Sequence, residues 1–171
     1  VTASEDKTLR LWELATGKLL TIYRIPIGEG NEGQLNATAI APDGSWVAGT
    51  GWTGYEWDEN VSIYLFNRQT GELERRLSGL ENVVFHLCVS PDGQYLAATL
   101  GSNWGLRIWN TQTWQAVFRD EEYGESSYGC DFDSANRVVT TSDDGFIRLY
   151  TPTAETFNLM TKSEAPGGKQ P

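Results

Sequence analysis

Leu9-Arg10-Leu11-Trp12 decides the reading of this chain, because its pattern returns as Ile63-Tyr64-Leu65-Phe66, Leu106-Arg107-Ile108-Trp109 and Ile147-Arg148-Leu149-Tyr150. Each copy sets apolar residues at alternate positions and ends on a large aromatic, with Arg between them in three of the four. Alternation of this kind is the period of a strand. The aromatic ends lie about 54, 43 and 41 residues apart, and a period of ~40–50 residues marks a repeat architecture.

The rest of the unit repeats in step. A small-residue strand precedes each copy: Val1-Thr2-Ala3-Ser4, Val47-Ala48-Gly49-Thr50, Leu96-Ala97-Ala98-Thr99 and Val139-Thr140-Thr141-Ser142. Before three of these stands a tight turn, Pro42-Asp43-Gly44, Pro91-Asp92-Gly93 and the degenerate Ser134-Ala135-Asn136. Pro presets φ, Asp can accept from the backbone that follows, and Gly supplies φ > 0. An apolar run leads into each turn, and a fourth, more polar strand follows each aromatic one after turns such as Ala15-Thr16-Gly17 and Gln69-Thr70-Gly71. Four antiparallel strands per repeat make one blade of an all-β propeller. Small residues in the second strand let tapering blades pack closely. The arginines of the third strand are expected to cover apolar surface with their stems and keep their heads in water.

The chain resembles the WD-repeat β-propellers. Ser4-Glu5-Asp6-Lys7-Thr8-Leu9-Arg10-Leu11-Trp12-Glu13 follows that family's signature, with Asp6 at its turn aspartate and Asp144 at the matching place in the last repeat. The resemblance makes Asp6, Trp12, Asp43, Gly44, Asp92, Gly93, Trp109 and Asp144 the structural-motif residues. It also departs from the family: the Gly-His pair before each inner strand is absent and His86 is the only histidine, so the family's His-based hydrogen-bond network is not expected. The expected organisation is a propeller segment over residues 1–161, with blades at about 1–25, 36–78, 84–120 and 127–161 and a loop toward a next blade over 162–171. That is about 3.75 blades of four strands, read as part of a larger propeller of the family's usual seven. Open blade edges would then favour self-association. Parts of the wording are similar to propeller portions of large bacterial proteins, some with caspase-like effector domains, which implies regulation of an attached effector domain.

Composition excludes several function classes. The net charge is −10, with 13 Lys+Arg against 23 Asp+Glu, the wrong sign for nucleic acid. No apolar run approaches the ~18 residues of a membrane span. Cys88 and Cys130 fall in inner strands of successive blades, one place out of register. They read as buried free thiols rather than a disulfide, which places the protein in a reducing, cytoplasmic compartment. A single histidine rules out multi-His metal sites and weakens any Ser/His or Cys/His nucleophile, and His86 reads as a packed strand residue. No catalytic residue, metal or cofactor is expected.

Function is read from the loops. In the propeller reading, the loops into each inner strand and from second to third strand open on one face, and they hold most of the acids. The same loops carry aromatics: Trp52, Tyr55 and Trp57 beside Asp58, then Trp104, then Tyr123 beside Glu121 and Glu122. Acids steer a basic partner, and Trp and Tyr are rigid anchors. The competing reading folds Trp52 and Trp57 back over the strand ends as structure, and both readings stand on sequence alone. Trp104 is expected to be exposed, and Trp12, Trp46, Trp109 and Trp114 to pack. The expectation is a non-catalytic protein-interaction scaffold for a peptide or protein of basic character. Carbohydrate binding through Trp52, Trp57 and Trp104 is the alternative, and a hydrolase using loop carboxylates the third.

Overall fold

A computed structural model describes residues 1–26, 29–54 and 61–166. Among the described residues it is all-β apart from a single 3-10 turn at Ser102–Trp104. The strands are β1 (Thr2–Ser4), β2 (Thr8–Glu13), β3 (Lys18–Arg24), β4 (Leu35–Ile40), β5 (Trp46–Gly51), β6 (Val61–Asn67), β7 (Leu73–Leu80), β8 (Val84–Val89), β9 (Tyr95–Leu100), β10 (Leu106–Asn110), β11 (Ala116–Asp120), β12 (Ser127–Phe132), β13 (Val138–Ser142), β14 (Phe146–Pro152) and β15 (Phe157–Glu164). They form four antiparallel sheets in up-and-down order, β1-β2-β3, β4-β5-β6-β7, β8-β9-β10-β11 and β12-β13-β14-β15, the order of propeller blades. β15 runs on to Glu164, past the sequence's expected strand end and into residues read as loop, because Phe146 to Leu149 pair with Thr161 to Glu164. No helix among the described residues is long and apolar enough to cross a membrane.

The expected turns form by the expected chemistry. Gly44 and Gly93 adopt φ 71° and 74°, and Asn136 takes φ 57° at the equivalent place. Asp43 Oδ1 accepts from Ser45 N at 2.9 Å, and Asp92 Oδ1 accepts from Gln94 N at 3.0 Å. In the degenerate turn Asp133 substitutes, accepting from Ala135 N at 2.9 Å. After the third strands, Gly17 and Gly71 close turns with φ 70° and 77°, and Trp114 holds the same left-handed geometry at φ 58°.

The chain divides into two compact units, Val1–Val84 and Phe85–Pro171. In the first, Leu9, Leu11, Tyr23, Ile25, Leu35, Val47, Tyr64 and Phe66 form the core. Gly49 lies so close to Leu9 that a Cβ on it would stand 2.5 Å from Leu9 Cδ1, the reason for small residues in β5. In the second, Leu106, Ile108, Tyr123, Phe132, Val138, Tyr150 and Phe157 are among the core residues, with Phe157 edge-on to Tyr95 at 5.0 Å. Trp109 is buried, whereas Trp12, Trp46 and Trp114 are half-buried.

Three expectations are corrected. Cys88 and Cys130 are disulfide-bonded, with Cα atoms 6.0 Å apart, and are not free thiols. The two strands belong to different sheets, so register within one sheet does not decide whether their cysteines meet. The inference of a reducing compartment loses its premise with them. Second, the arginine heads are not all in water: Arg107 is 8% and Arg148 1% exposed, each held by local carboxylates. Third, His86 is exposed on β8 instead of packed.

Candidate functional site

In the second unit three connections are tied into one cluster: 101–105, 120–127 and 142–145. Ser126 Oγ accepts from Ser102 N at 2.8 Å, and Ser126 O accepts from Asp143 N at 3.0 Å. Gly124 N donates to Asp144 Oδ2 at 3.2 Å, and Arg148 donates to Glu122 O at 3.2 Å. Gly105 makes the closest approach. Its φ is 52°, and a Cβ there would lie 2.2 Å from Tyr123 Cδ2 and 2.4 Å from Asp120 O. A side chain at 105 would therefore push Tyr123 and the Trp104 turn apart.

The cluster stands on a buried polar network. Tyr150 OH donates to Asp120 Oδ2 at 2.8 Å and shares a 2.8 Å bond with Tyr123 OH, which shares a 2.6 Å bond with Thr140 Oγ1. Since Tyr150 spends its proton on Asp120, the chain runs Thr140 to Tyr123 to Tyr150 to Asp120. Burial raises the Tyr123 hydroxyl to about 12 against the opposing hydrogen bonds of Thr140 and Tyr150. Burial, then Tyr123 and Asp120, raise Tyr150 further. Both phenols are therefore neutral donors and not bases. The Arg148 guanidinium lies 3.9 Å from the Tyr123 ring centroid, pairs with Asp144 and donates to Ser142 Oγ at 2.9 Å. Burial alone would raise Asp144, but hydrogen bonds from Arg148, Ser142, Phe146 N and Gly124 N hold its carboxyl well below the usual range. Asp6 is the exposed counterpart in the first unit: bonds from Thr8 and then Arg10 lower it to about 2.

The sequence's candidate residues meet different fates. Trp104 sits half-buried at the end of the 3-10 turn, less exposed than expected. Glu122 is exposed on the cluster, with Glu125 and Asp143 on the same connections. Glu121 is half-buried and engaged by Arg119 Nε at 2.7 Å and Arg107 at 3.5 Å. Tyr123 is 3% exposed, so it supports the loop from below and is not a surface anchor. Its position as the middle member of a hydroxyl chain, held in place by the bare Gly105, is the reason. In the first unit Trp52 is 41% exposed, its backbone fixed by Trp52 N donating to Gln34 O at 2.9 Å. Tyr55, Trp57 and Asp58 lie outside the described residues. Among the described residues no group of His, Cys, Asp and Glu is placed to hold a metal ion.

Sequence reasoning missed Asp120, Thr140, Tyr150 and Arg148 as a network. One signal was present: Asp followed by Arg four residues on occurs in both Asp6/Arg10 and Asp144/Arg148, and both are ion pairs. It also missed the tilted aromatic pair Phe85 and Tyr128, 4.7 Å between centroids, with Tyr128 49% exposed.

Residues 71–110 match the family described as WD domain, G-beta repeat. The chain is 28% identical over 130 residues to Protein HIR1 of Candida albicans, covering 70% of this chain and 14% of that protein. It is 29% identical over 115 residues to Small ribosomal subunit protein RACK1y of Oryza sativa subsp. japonica, covering 66% of this chain and 29% of that protein. The chain thus spans less than a third of the length of either relative. The matched repeat and the four sheets in blade order support a WD-repeat propeller fragment. WD repeats are in general non-catalytic scaffolds for protein–protein interaction.

Proposed function

We propose that this WD-repeat segment is a protein-interaction scaffold that receives a peptide or protein carrying Lys/Arg and apolar groups on the connections of its second unit. Trp104 is the apolar anchor there, and Glu122 and Glu125 are the steering charges. Trp52 is a separate contact on the first unit. In a longer chain the same scaffold would couple partner binding to an attached effector domain. The observation that carries the reading is the stitching of 101–105, 120–127 and 142–145 by Ser126, Asp144 and Arg148, which presents an aromatic and acids on a fixed frame. A preorganised surface loses little conformational entropy when a partner binds.

The test uses a short synthetic peptide alternating Lys and Leu, titrated by calorimetry at several salt concentrations. Charge steering is screened as the Debye length falls from about 10 Å at 0.1 M to about 3 Å at 1 M. Affinity should fall steeply with salt. Replacing Glu122 and Glu125 with Gln should weaken binding several-fold and flatten that dependence. Trp104→Ala should weaken it at every salt concentration. An unchanged affinity and salt slope in these variants removes the cluster as the site, and salt-independent binding of a neutral sugar would favour the carbohydrate alternative.

A further inference from the structure

The disulfide of the second unit has a companion that the scaffold reading does not use. Cys88 on β8 and Cys130 on β12 are 8% and 7% exposed, and their bond ties the inner strands of two sheets. His86 lies two residues before Cys88 and is exposed. Its Nδ1 stands 3.6 Å from Cys130 Sγ and accepts the Cys130 backbone N–H at 3.4 Å. That backbone bond fixes the ring with Nδ1 toward the sulfur of Cys130. His86 is exposed, so its ring can carry a proton between water and a sulfur on a residue that is nearly closed off. The imidazole contacts the sulfur of Cys130.

We propose that Cys88, Cys130 and His86 form a thiol–disulfide exchange site, opened and closed by a small dithiol. On opening, a thiolate of the dithiol attacks Cys88 Sγ. The S–S bond breaks, its electron pair leaves on Cys130 Sγ, and His86, protonated at Nδ1 in the state where that nitrogen has released the Cys130 N–H, delivers a proton to it. The second thiol of the reagent then attacks the reagent's own sulfur in the mixed disulfide, releasing Cys88 as a thiol. The dithiol becomes a cyclic disulfide, and two electrons and two protons pass to the protein. On closing, Nδ1 takes the proton of the Cys130 thiol, and the resulting thiolate displaces the reagent from Cys88. A better-stabilised leaving thiolate departs faster, so the sulfur beside the imidazole is the one that leaves.

The experiment follows opening of the whole chain by dithiothreitol, with free thiols trapped by iodoacetamide and counted by intact mass. The rate should be proportional to dithiothreitol, and His86→Ala should slow it by about tenfold, within the reach of a single proton donor. His86→Gln keeps a hydrogen-bond acceptor for the Cys130 amide but carries no proton in exchange, so it should be as slow as His86→Ala. The melting temperature of the oxidised protein should be the same in all three. Three results would overturn the proposal: opening of His86→Gln at the unsubstituted rate, opening independent of dithiothreitol concentration, or two alkylatable thiols in the air-oxidised chain.

Discussion

Arg148 carries a full charge at 1% exposure, and its neighbours are arranged to balance it. An isolated buried charge is costly, so it persists only when paired and hydrogen-bonded. Here Asp144 supplies the countercharge, Ser142 Oγ and Glu122 O accept, and the Tyr123 ring face lies underneath. Arg148→Met should destabilise the protein by about 3 kcal/mol, because it strands Asp144, whose side chain is 9% exposed. Replacing both partners with apolar residues of similar size should recover most of that loss. Denaturant melts of the single and double variants measure it, and equal losses in both would show that the loss comes from the missing pair itself and not from a stranded Asp144. The sign with pH follows from the lowered Asp144 pKa. Asp144 adds stability above the ordinary Asp value of about 3.9, and that contribution fades as pH falls through this value toward its own lower one. The gap between the unsubstituted protein and Arg148→Met should therefore narrow in acid and be full at neutral pH.

At the scale of the strand, the small residues of β5 set how closely two sheets of the first unit approach. A Cβ on Gly49 would lie 2.5 to 2.9 Å from three atoms of Leu9, which is 0% exposed and has no room to retreat. Gly49→Ala should therefore destabilise by about 1–3 kcal/mol through overpacking, despite the usual gain from replacing glycine in a strand. Gly49→Ala combined with Leu9→Ala should regain part of the loss, which a double-mutant cycle would read; strict additivity would mean the two do not collide. Such strands were legible because their determinants are local. Turn chemistry at Asp43-Gly44 and Asp92-Gly93 and the aromatic end of each third strand need no partner from another sheet. The errors fall where a neighbour decides. Arg148 looks like an outward residue from its own strand, and Asp144, Ser142, Tyr123 and the backbone of Glu122 make its burial tolerable. Tyr123 reads as a loop aromatic until Gly105 and Tyr150 are in place around it. Cys88 and Cys130 lie 42 residues apart, and register within one strand says nothing about how the inner strands of two sheets approach.

Across the whole molecule, the two compact units differ in how they are held. The described cores of both are apolar and aromatic, but only the second, Phe85–Pro171, contains a covalent tie. Closing a loop of 42 residues lowers the entropy of the unfolded chain, by an amount worth about 4 kcal/mol in the loop-closure treatment. The tie contributes nothing of this kind to a fluctuation that opens Val1–Val84 alone. Replacing Cys88 and Cys130 together with Ser should therefore lower stability unevenly. Hydrogen exchange should quicken in the strands β8 to β15 and stay near its original rate in β1 to β7. Reduction of the unsubstituted protein should give the same map, because it opens the same loop. Equal loss of protection in all strands would mean that the two units unfold only together, so the tie would stabilise the whole chain. Unchanged protection everywhere would mean that packing around Leu106, Phe132 and Phe157 already holds the second unit without it.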